Sequence, residues 1–329
     1  MESSSWRPTA ELATLRLRAG LLARVRAFFT ARGVLEVETP ALSAAAITDP
    51  HLASFAVRYT GPGPRHGQPL YLHTSPEFPM KRLLAAGSGC IYQIARVFRD
   101  GEAGRRHNPE FTLLEWYRVG FDHHQLMDEV AELVTELLAG RLALAEPERF
   151  SYRELFQHHL NLDPHRASTA ELAACAEKHS VPIPPEMPAD DADPWLDLLL
   201  THWIEPRLES GRLTFVYDYP ATQAALARLR PGDPPVGERF ELYVGGVELA
   251  NGFHELGDAA EQRRRFELGN AARQARELPL MPVDENLLAA LAAGLPACAG
   301  VALGFDRLVM LAAGKASLAE VMAFPVGRA

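Results

Sequence analysis

Apolar positions recur at helical spacing near the start of the chain. Leu12, Leu15, Leu22, Val25 and Phe29 stand at helical spacing in a helix predicted over residues 10–32, with Gly33 as its stop. "VLEVETP" follows as a strand ending at Pro40. "SFAVRYT" and "LYLHTS" read as two further strands around the turn-rich "GPGPRHGQ". Ser75-Pro76-Glu77 opens a helix: Ser suits the N-cap, Pro the first turn, and Glu the positive helix end. "CIYQIARVF" and "FTLLEWYRV" are strands on either side of "RDGEAGRRHNPEF", residues 99–111. A helix from about Asp122 to Leu138 comes next. Residues 140–212 read as short helices plus the Pro-rich connector "VPIPPEMPADDADP", an insertion inside one domain. "RLTFVYDYP" is a strand and "RFELYVGGVELANG" a hairpin. A polar helix over 257–277 and the strand-turn-helix "GVALGFDRLVMLAAG" complete the pattern. Strands separated by long helices, with hairpins among them, predict an α+β fold with a largely antiparallel sheet.

Composition narrows the class. The 329 residues are 47% apolar, enough for a substantial core, and 33 basic against 42 acidic residues leave a formal charge of −9. That balance gives no global pull toward nucleic acid. Cys90, Cys175 and Cys298 lie far apart, with no CxxC, so neither a disulfide framework nor a zinc site is suggested. "MESSSWRPTAEL" has no apolar core of a secretory leader. Leu287–Phe305 is uncharged, but it is Ala-rich and broken by Gly294, Pro296, Gly300 and Gly304, unlike a membrane span. The expected location is the cytoplasm.

Chemistry concentrates at a few places. Alternation puts Leu113, Glu115 and Tyr117 on one strand face, where a carboxylate and a phenol can grip an ammonium group; a solvated strand face is the plain alternative. Gly245-Gly246 suits a two-residue hairpin turn. In that register Val244 faces Val247, Tyr243 faces Glu248 and Leu242 faces Leu249, which places Glu241 on the face of Tyr243 and Glu248. Two carboxylates so placed repel unless a cation joins them, and oxygen ligands of this kind fit Mg²⁺ beside a nucleotide's phosphates. Two solvent-facing glutamates are the alternative. Asn251 and Glu255 in "ELANGFHEL" add to an acid-rich set with Glu77 and Glu115, suited to a positively charged substrate. In "GVALGFDR", Arg307 opposes the helix dipole, so an anionic ligand is the natural reason for it. There is no GxGxxG, no GxxxxGK[ST] and no GxSxG. Adjacent histidines on a helix do not face each other, which argues against a metal shared within His123-His124 or within His158-His159.

Together these stretches resemble a known family. "FRDGEAGRRHNPEFTLLEWY" resembles motif 2 of class II aminoacyl-tRNA synthetases, "GVALGFDR" their motif 3, and "LEVETPAL" their motif 1. "SPEFPMKRLLAAG" and "ELANGFHEL" are similar to the lysine-specific branch. The resemblance runs from about residue 10 to the end, and leaves no room for the N-terminal anticodon-binding OB domain of bacterial lysyl enzymes. It therefore implies one catalytic domain over 1–329, with the class's antiparallel sheet flanked by helices. The pattern is most like truncated paralogues that activate (R)-β-lysine, or lysine, with ATP and pass it to a lysine of elongation factor P. By this resemblance, Arg99 clamps the α-phosphate, Phe111 stacks on adenine, and Arg307 binds the γ-phosphate and covers the other adenine face. Asp100, Gly101, Glu102, His107, Asn108, Leu249 and Gly304 complete the ATP contacts. Glu241 and Glu248 hold Mg²⁺. Glu77 receives the substrate's backbone-type amine, Glu115, Tyr117 and Glu255 surround the side-chain ammonium, and Ser75, Pro76 and Asn251 are further substrate contacts. The family's usual Arg-x-Glu becomes Arg99-Asp100-Gly101-Glu102, so Glu102 or a backbone carbonyl takes the adenine contact. Motif 1 implies a homodimer. The rival readings are a compact tRNA-charging enzyme and a silent synthetase-like subunit; the retained Arg99, Arg307, Glu241 and Glu248 speak against the second.

Overall fold

The computed structural model describes residues 6–329. Residues 1–5, part of the start read as lacking a leader, lie outside the described residues. The chain divides into two compact units, Met1–Gly120 with Leu256–Ala329, and Phe121–Glu255.

The first unit opens with α1 (Leu12–Ala31), then β1 (Leu35–Glu36), β2 (Leu42–Ser43), β3 (Ala56–Arg58), β4 (Pro69–Leu72), α2 (Glu77–Ala85), β5 (Ile91–Phe98) and β6 (Glu110–Val119). The strand expected to run to Pro40 pairs only at Leu35 and Glu36, parallel to β5, with Val37 adding one further bond to Tyr92. Pro40 has no N–H for a ladder, and the chain leaves the sheet before it. The next two expected strands are also shorter, and with β2 they form a separate three-stranded antiparallel sheet. α1 buries Phe29 against the ring of Tyr92 (4.4 Å, stacked) and the edge of Trp116 (5.4 Å). Tyr92 and Trp116 face each other across β5 and β6, so α1 covers that face and leaves the Glu115–Tyr117 face opposite.

The second unit begins with α3 (His123–Leu138), whose N-cap Asp122 forms a capping box with Gln125. β7 (Ala145–Ser151), α4 (Tyr152–Leu160), α5 (Thr169–Lys178), α6 (Asp193–Leu199), β8 (Arg212–Pro220), β9 (Leu229–Arg230), β10 (Val236–Val244) and β11 (Val247–His254) follow. Ser151 with Glu154 and Ser168 with Glu171 repeat the capping box at α4 and α5. β7 was not expected: it is polar and largely exposed, so it carries no alternation, and only its parallel pairing to β8 makes it a strand. The strands lie in the order β11-β10-β8-β7, with β9 also on β10. Tyr152, Leu155, Phe156, Leu199 and Ile204 from the 140–212 region bury against Val216, Tyr219 and Tyr243. These helices therefore cover one face of the strands, while α3 packs against β10 and β11.

The chain then returns to the first unit with α7 (Ala259–Ala275), α8 (Glu285–Gly294), β12 (Cys298–Gly304) and α9 (Phe305–Ala312). β12 pairs antiparallel with β6, giving the order β1-β5-β6-β12. The architecture is α+β, with mixed pairing because β1–β5 and β7–β8 are parallel. The three cysteines are unbridged. Among the described residues, no helix is long and apolar enough to cross a membrane.

Candidate functional site

In the first unit the site residues gather on the sheet face away from α1. Glu115, Tyr117 and Leu113 project there from β6. Their partners on β12 are Ala302, Gly300 and Gly304, so the neighbouring strand puts no bulky side chain over this face. Glu115 is buried, with Ser75 Oγ donating to one carboxylate oxygen (2.7 Å) and Tyr117 Oη to the other (2.8 Å). Ser75 also accepts the backbone N–H of Glu77 at 3.0 Å, although the N-cap itself is Pro76. Glu77 meets Lys81 Nζ at 2.6 Å, one helical turn on, and Lys81 is fully buried. Sequence reasoning passed over Lys81, although its i,i+4 spacing from Glu77 was visible.

The charged stretch joins β5 to β6. Arg99 lies 5.1 Å from the Phe111 ring centre, donates to Thr74 O at 3.4 Å and pairs with Glu102 at 3.6 Å. Gly101 has φ +80°, a conformation that favours glycine. The third position of the motif is thus a backbone turn, and the nearby carboxylate is Glu102. Asp100 donates its N–H to Ala53 O (2.8 Å). Asn108 is buried and ties the backbone together, donating to Glu110 O (2.6 Å) and accepting from Val326 N–H (3.0 Å). Arg307, at the start of α9, donates to His107 Nε2 at 2.9 Å and to Arg106 O at 3.4 Å. Burial, and then the Arg307 charge, lower the pKa of His107, which suits an imidazole accepting that bond. Arg307 is held in place by its neighbour. Buried Asp306 accepts Thr112 N–H (2.6 Å) and Arg18 Nη1 (2.6 Å), while Arg18 also donates to Thr112 Oγ1 (2.7 Å). No sequence signal connects Arg18 to Asp306, 288 positions apart.

In the second unit the hairpin turns at Gly245-Gly246, both at positive φ, as a two-residue turn of the primed type requires. Val244 pairs with Val247 and Tyr243 with Glu248, as expected. Leu242, however, pairs with Ala250 rather than Leu249, because Leu249 sits in a bulge. The bulge resets the alternation of β11, so Glu248 and Asn251 share a face with Glu241 and Tyr243. Glu241 is buried and accepts from Tyr219 Oη (2.7 Å), Tyr243 Oη and Arg239 Nη2. Arg239 also bonds Asn251 Oδ1 (3.2 Å) and Gln223 O (2.8 Å). One cation for Glu241 is therefore present in the chain itself. Burial opposes the guanidinium's charge, but Glu241 foremost, with the two tyrosines and Glu248, outweighs it and holds the Arg239 pKa above its usual value. Burial, then Glu241, push Tyr219 and Tyr243 well up, so both stay protonated donors. Three donors leave Glu241 about one of its roughly four acceptor positions. With Glu248 on the same face, this all-oxygen set suits a hard divalent cation that keeps water and phosphate ligands. Glu255 ends this segment, buried and bridged to Ala227.

Residues 5–328 match the family described as tRNA synthetases class II (D, K and N). The chain is 52% identical over 328 residues to the elongation factor P–(R)-β-lysine ligase of Klebsiella pneumoniae, covering 100% of this chain and 99% of that protein. The proteins of the same name from Yersinia enterocolitica and Salmonella paratyphi B are likewise 52% identical over 328 residues, with the same coverage. Family-wide use of ATP agrees with Arg99 set beside the Phe111 ring and Arg307 at the start of α9. The chain belongs to the class II tRNA synthetase family of the D, K and N type.

Proposed function

We propose that this protein is a ligase that activates (R)-β-lysine, or lysine, with ATP and transfers it to the ε-amine of a lysine in elongation factor P. The observation that carries the proposal is identity of 52% along the full length to ligases of that name. The buried Glu115 carboxylate, with Ser75 and Tyr117 as donors and only small residues opposite it on β12, supports it chemically. In the first step the amino-acid carboxylate attacks the α-phosphorus of ATP, forming a mixed anhydride and releasing pyrophosphate. In the second, the acceptor amine attacks the anhydride carbonyl, loses a proton and expels AMP. Arg99 stabilises the α-phosphate charge, with Phe111 beside it for the adenine, and Arg307 takes the γ-phosphate. Asp100, Gly101, Glu102, His107, Leu249 and Gly304 line the nucleotide, and Asn108 shapes the loop around it. Ser75, Pro76 and Glu77 orient the reacting end of the substrate. Glu115, Tyr117, Asn251 and Glu255 hold its ammonium. Glu241 and Glu248 would hold Mg²⁺, which supplies charge neutralisation at the phosphates when bound. Alignment of carboxylate and phosphorus does much of the rest.

We place the enzyme in the cytoplasm, as a homodimer of single catalytic domains. The deciding experiment incubates the protein with ATP, labelled β-lysine and a cell extract. Label on one small protein, lost to protease, is the expected result. Label lost to ribonuclease would make this a tRNA-charging enzyme, and no label would make it a silent subunit. Arg99→Ala should reduce amino-acid-dependent pyrophosphate exchange at least ~100-fold, and near-normal exchange would remove Arg99 from the site.

A further inference from the structure

The α3-side face of the second unit carries a separate cluster. His123 at the start of α3, Glu238 on β10 and His254 at the end of β11 each bring one ligand atom within 4.8 Å of the others. Asp218 on β8 stands beside them, its Oδ1 3.6 Å from His123 Nε2. His254 Nδ1 lies 2.8 Å from Glu238 Oε2. His123 is 2% exposed, and neither of its ring nitrogens makes a hydrogen bond; Asp218 Oδ1, Glu238 Oε2 and His254 Nδ1 also lack one of normal geometry. Leaving this many buried polar atoms unsatisfied is costly for a folded protein unless something fills the gap. Asp218 reaches the cluster from a backbone with φ +59°, outside the ordinary strand range.

We infer that His123, Glu238 and His254 form a binding site for a divalent transition metal of the Zn²⁺ class, with Asp218 as the carboxylate that orients His123. Two imidazoles and a carboxylate, with one position for water, are a common zinc set. Ligand atoms about 2.1 Å from a tetrahedral ion sit roughly 3.4 Å from one another, within the range set by the 2.8 Å between His254 and Glu238 and the 4.8 Å that encloses all three ligand atoms. A carboxylate behind a metal-bound histidine is the usual outer partner. The two rings at the start of α3 lie 4.1 Å apart, with His124 also against the edge of the Tyr217 ring, and only His123 joins the cluster. Two arginines compete for the carboxylates. Arg228 lies 3.2 Å and Arg230 3.8 Å from Glu238, and Arg230 also pairs with Asp218. Both are well exposed and can swing into water as an ion enters. The bound ion would clip the start of α3 to the strand that leads into Glu255.

The test is a titration of the full chain, freed of metal by chelator, with Zn²⁺ against a chromophoric competitor, and with Co²⁺ followed by visible absorption. One equivalent should bind, with the strong visible bands of four-coordinate Co²⁺. His254→Gln and Glu238→Gln should weaken binding at least ~100-fold, since even outer partners are worth roughly 10–100-fold. His158→Gln, an exposed histidine elsewhere, should leave it unchanged. Circular dichroism checks that each variant is folded; if His254→Gln fails to fold, Glu238→Gln decides. No saturable binding to the wild-type chain, or undiminished binding in the folded variants, would show that the cluster is an ion-pair network only.

Discussion

Asp306 anchors the start of α9 beside Arg307, and its replacement by Asn tests what that anchor contributes. Its side chain is almost fully buried and takes two short hydrogen bonds, from Arg18 and from the Thr112 backbone, at 2.6 Å each. Hydrogen bonds to a charged group contribute about 1.5–3 kcal/mol. Asn keeps the shape but loses the charge, and its amide nitrogen must face one of the two donors. Asp306→Asn should therefore lower the unfolding free energy by about 3 kcal/mol, and Asp306→Ala by about 3–5 kcal/mol, because it strands a mostly buried guanidinium. The assay is urea unfolding followed by the fluorescence of the four tryptophans, Trp116 among them, and by circular dichroism. Because the chain has two compact units, the two probes are fitted separately. A cycle with Arg18→Met should recover about 2 kcal/mol as coupling energy. A loss under ~0.5 kcal/mol for Asp306→Asn, or strictly additive single changes, would refute the buried-pair reasoning.

Three further outcomes follow from the same geometry. Glu255→Gln should weaken lysine-type substrates about 10–100-fold, the value of one charged hydrogen bond, while the KM for ATP changes little; equal losses for both would remove Glu255 from the ammonium pocket. Gly246→Ala should destabilise by about 2 kcal/mol or more, because φ is +69° and a Cβ there would lie 2.6 Å from Glu205 O; an unchanged melting temperature would contradict this. Glu261, in the first turn of α7, has its pKa pushed down to about 2, chiefly by the hydrogen bond from Arg264 and then by Arg265. A depressed carboxyl stabilises above its ordinary value of 4.5, and that contribution fades as the pH falls from 4.5 toward 2. With the side chain a quarter exposed, screening leaves about 0.5–1 kcal/mol at pH 7. The stability difference between wild type and Glu261→Gln should shrink across that window, and a constant difference would disprove the linkage.

Local rules determined much of this protein. Side-chain spacing specified α1, and Asp122 with Gln125 specified the start of α3. Gly245-Gly246 specified the hairpin turn, because both positions need positive φ. The charged hairpin stretch and the "GFDR" stretch carried the family resemblance, because phosphate recognition needs particular side chains at short, fixed spacings. What failed was whatever depends on partners remote in the chain. The strand near Pro40 is short because pairing, not propensity, defines a strand at a sheet edge, and polar β7 is a strand for the same reason. The bulge at Leu249 shifts the register beyond the turn, and only the packed strands decide it. Arg239 is a partner of Glu241 that sequence spacing did not show, and the two meet only where buried Tyr219 and Tyr243 converge on the same carboxylate. Arg18 and Asp306, or His123, Glu238 and His254, are unremarkable as letters. They become chemistry only when helices and strands far apart in sequence bring them out of water into one place, where the loss of solvent makes each remaining contact strong.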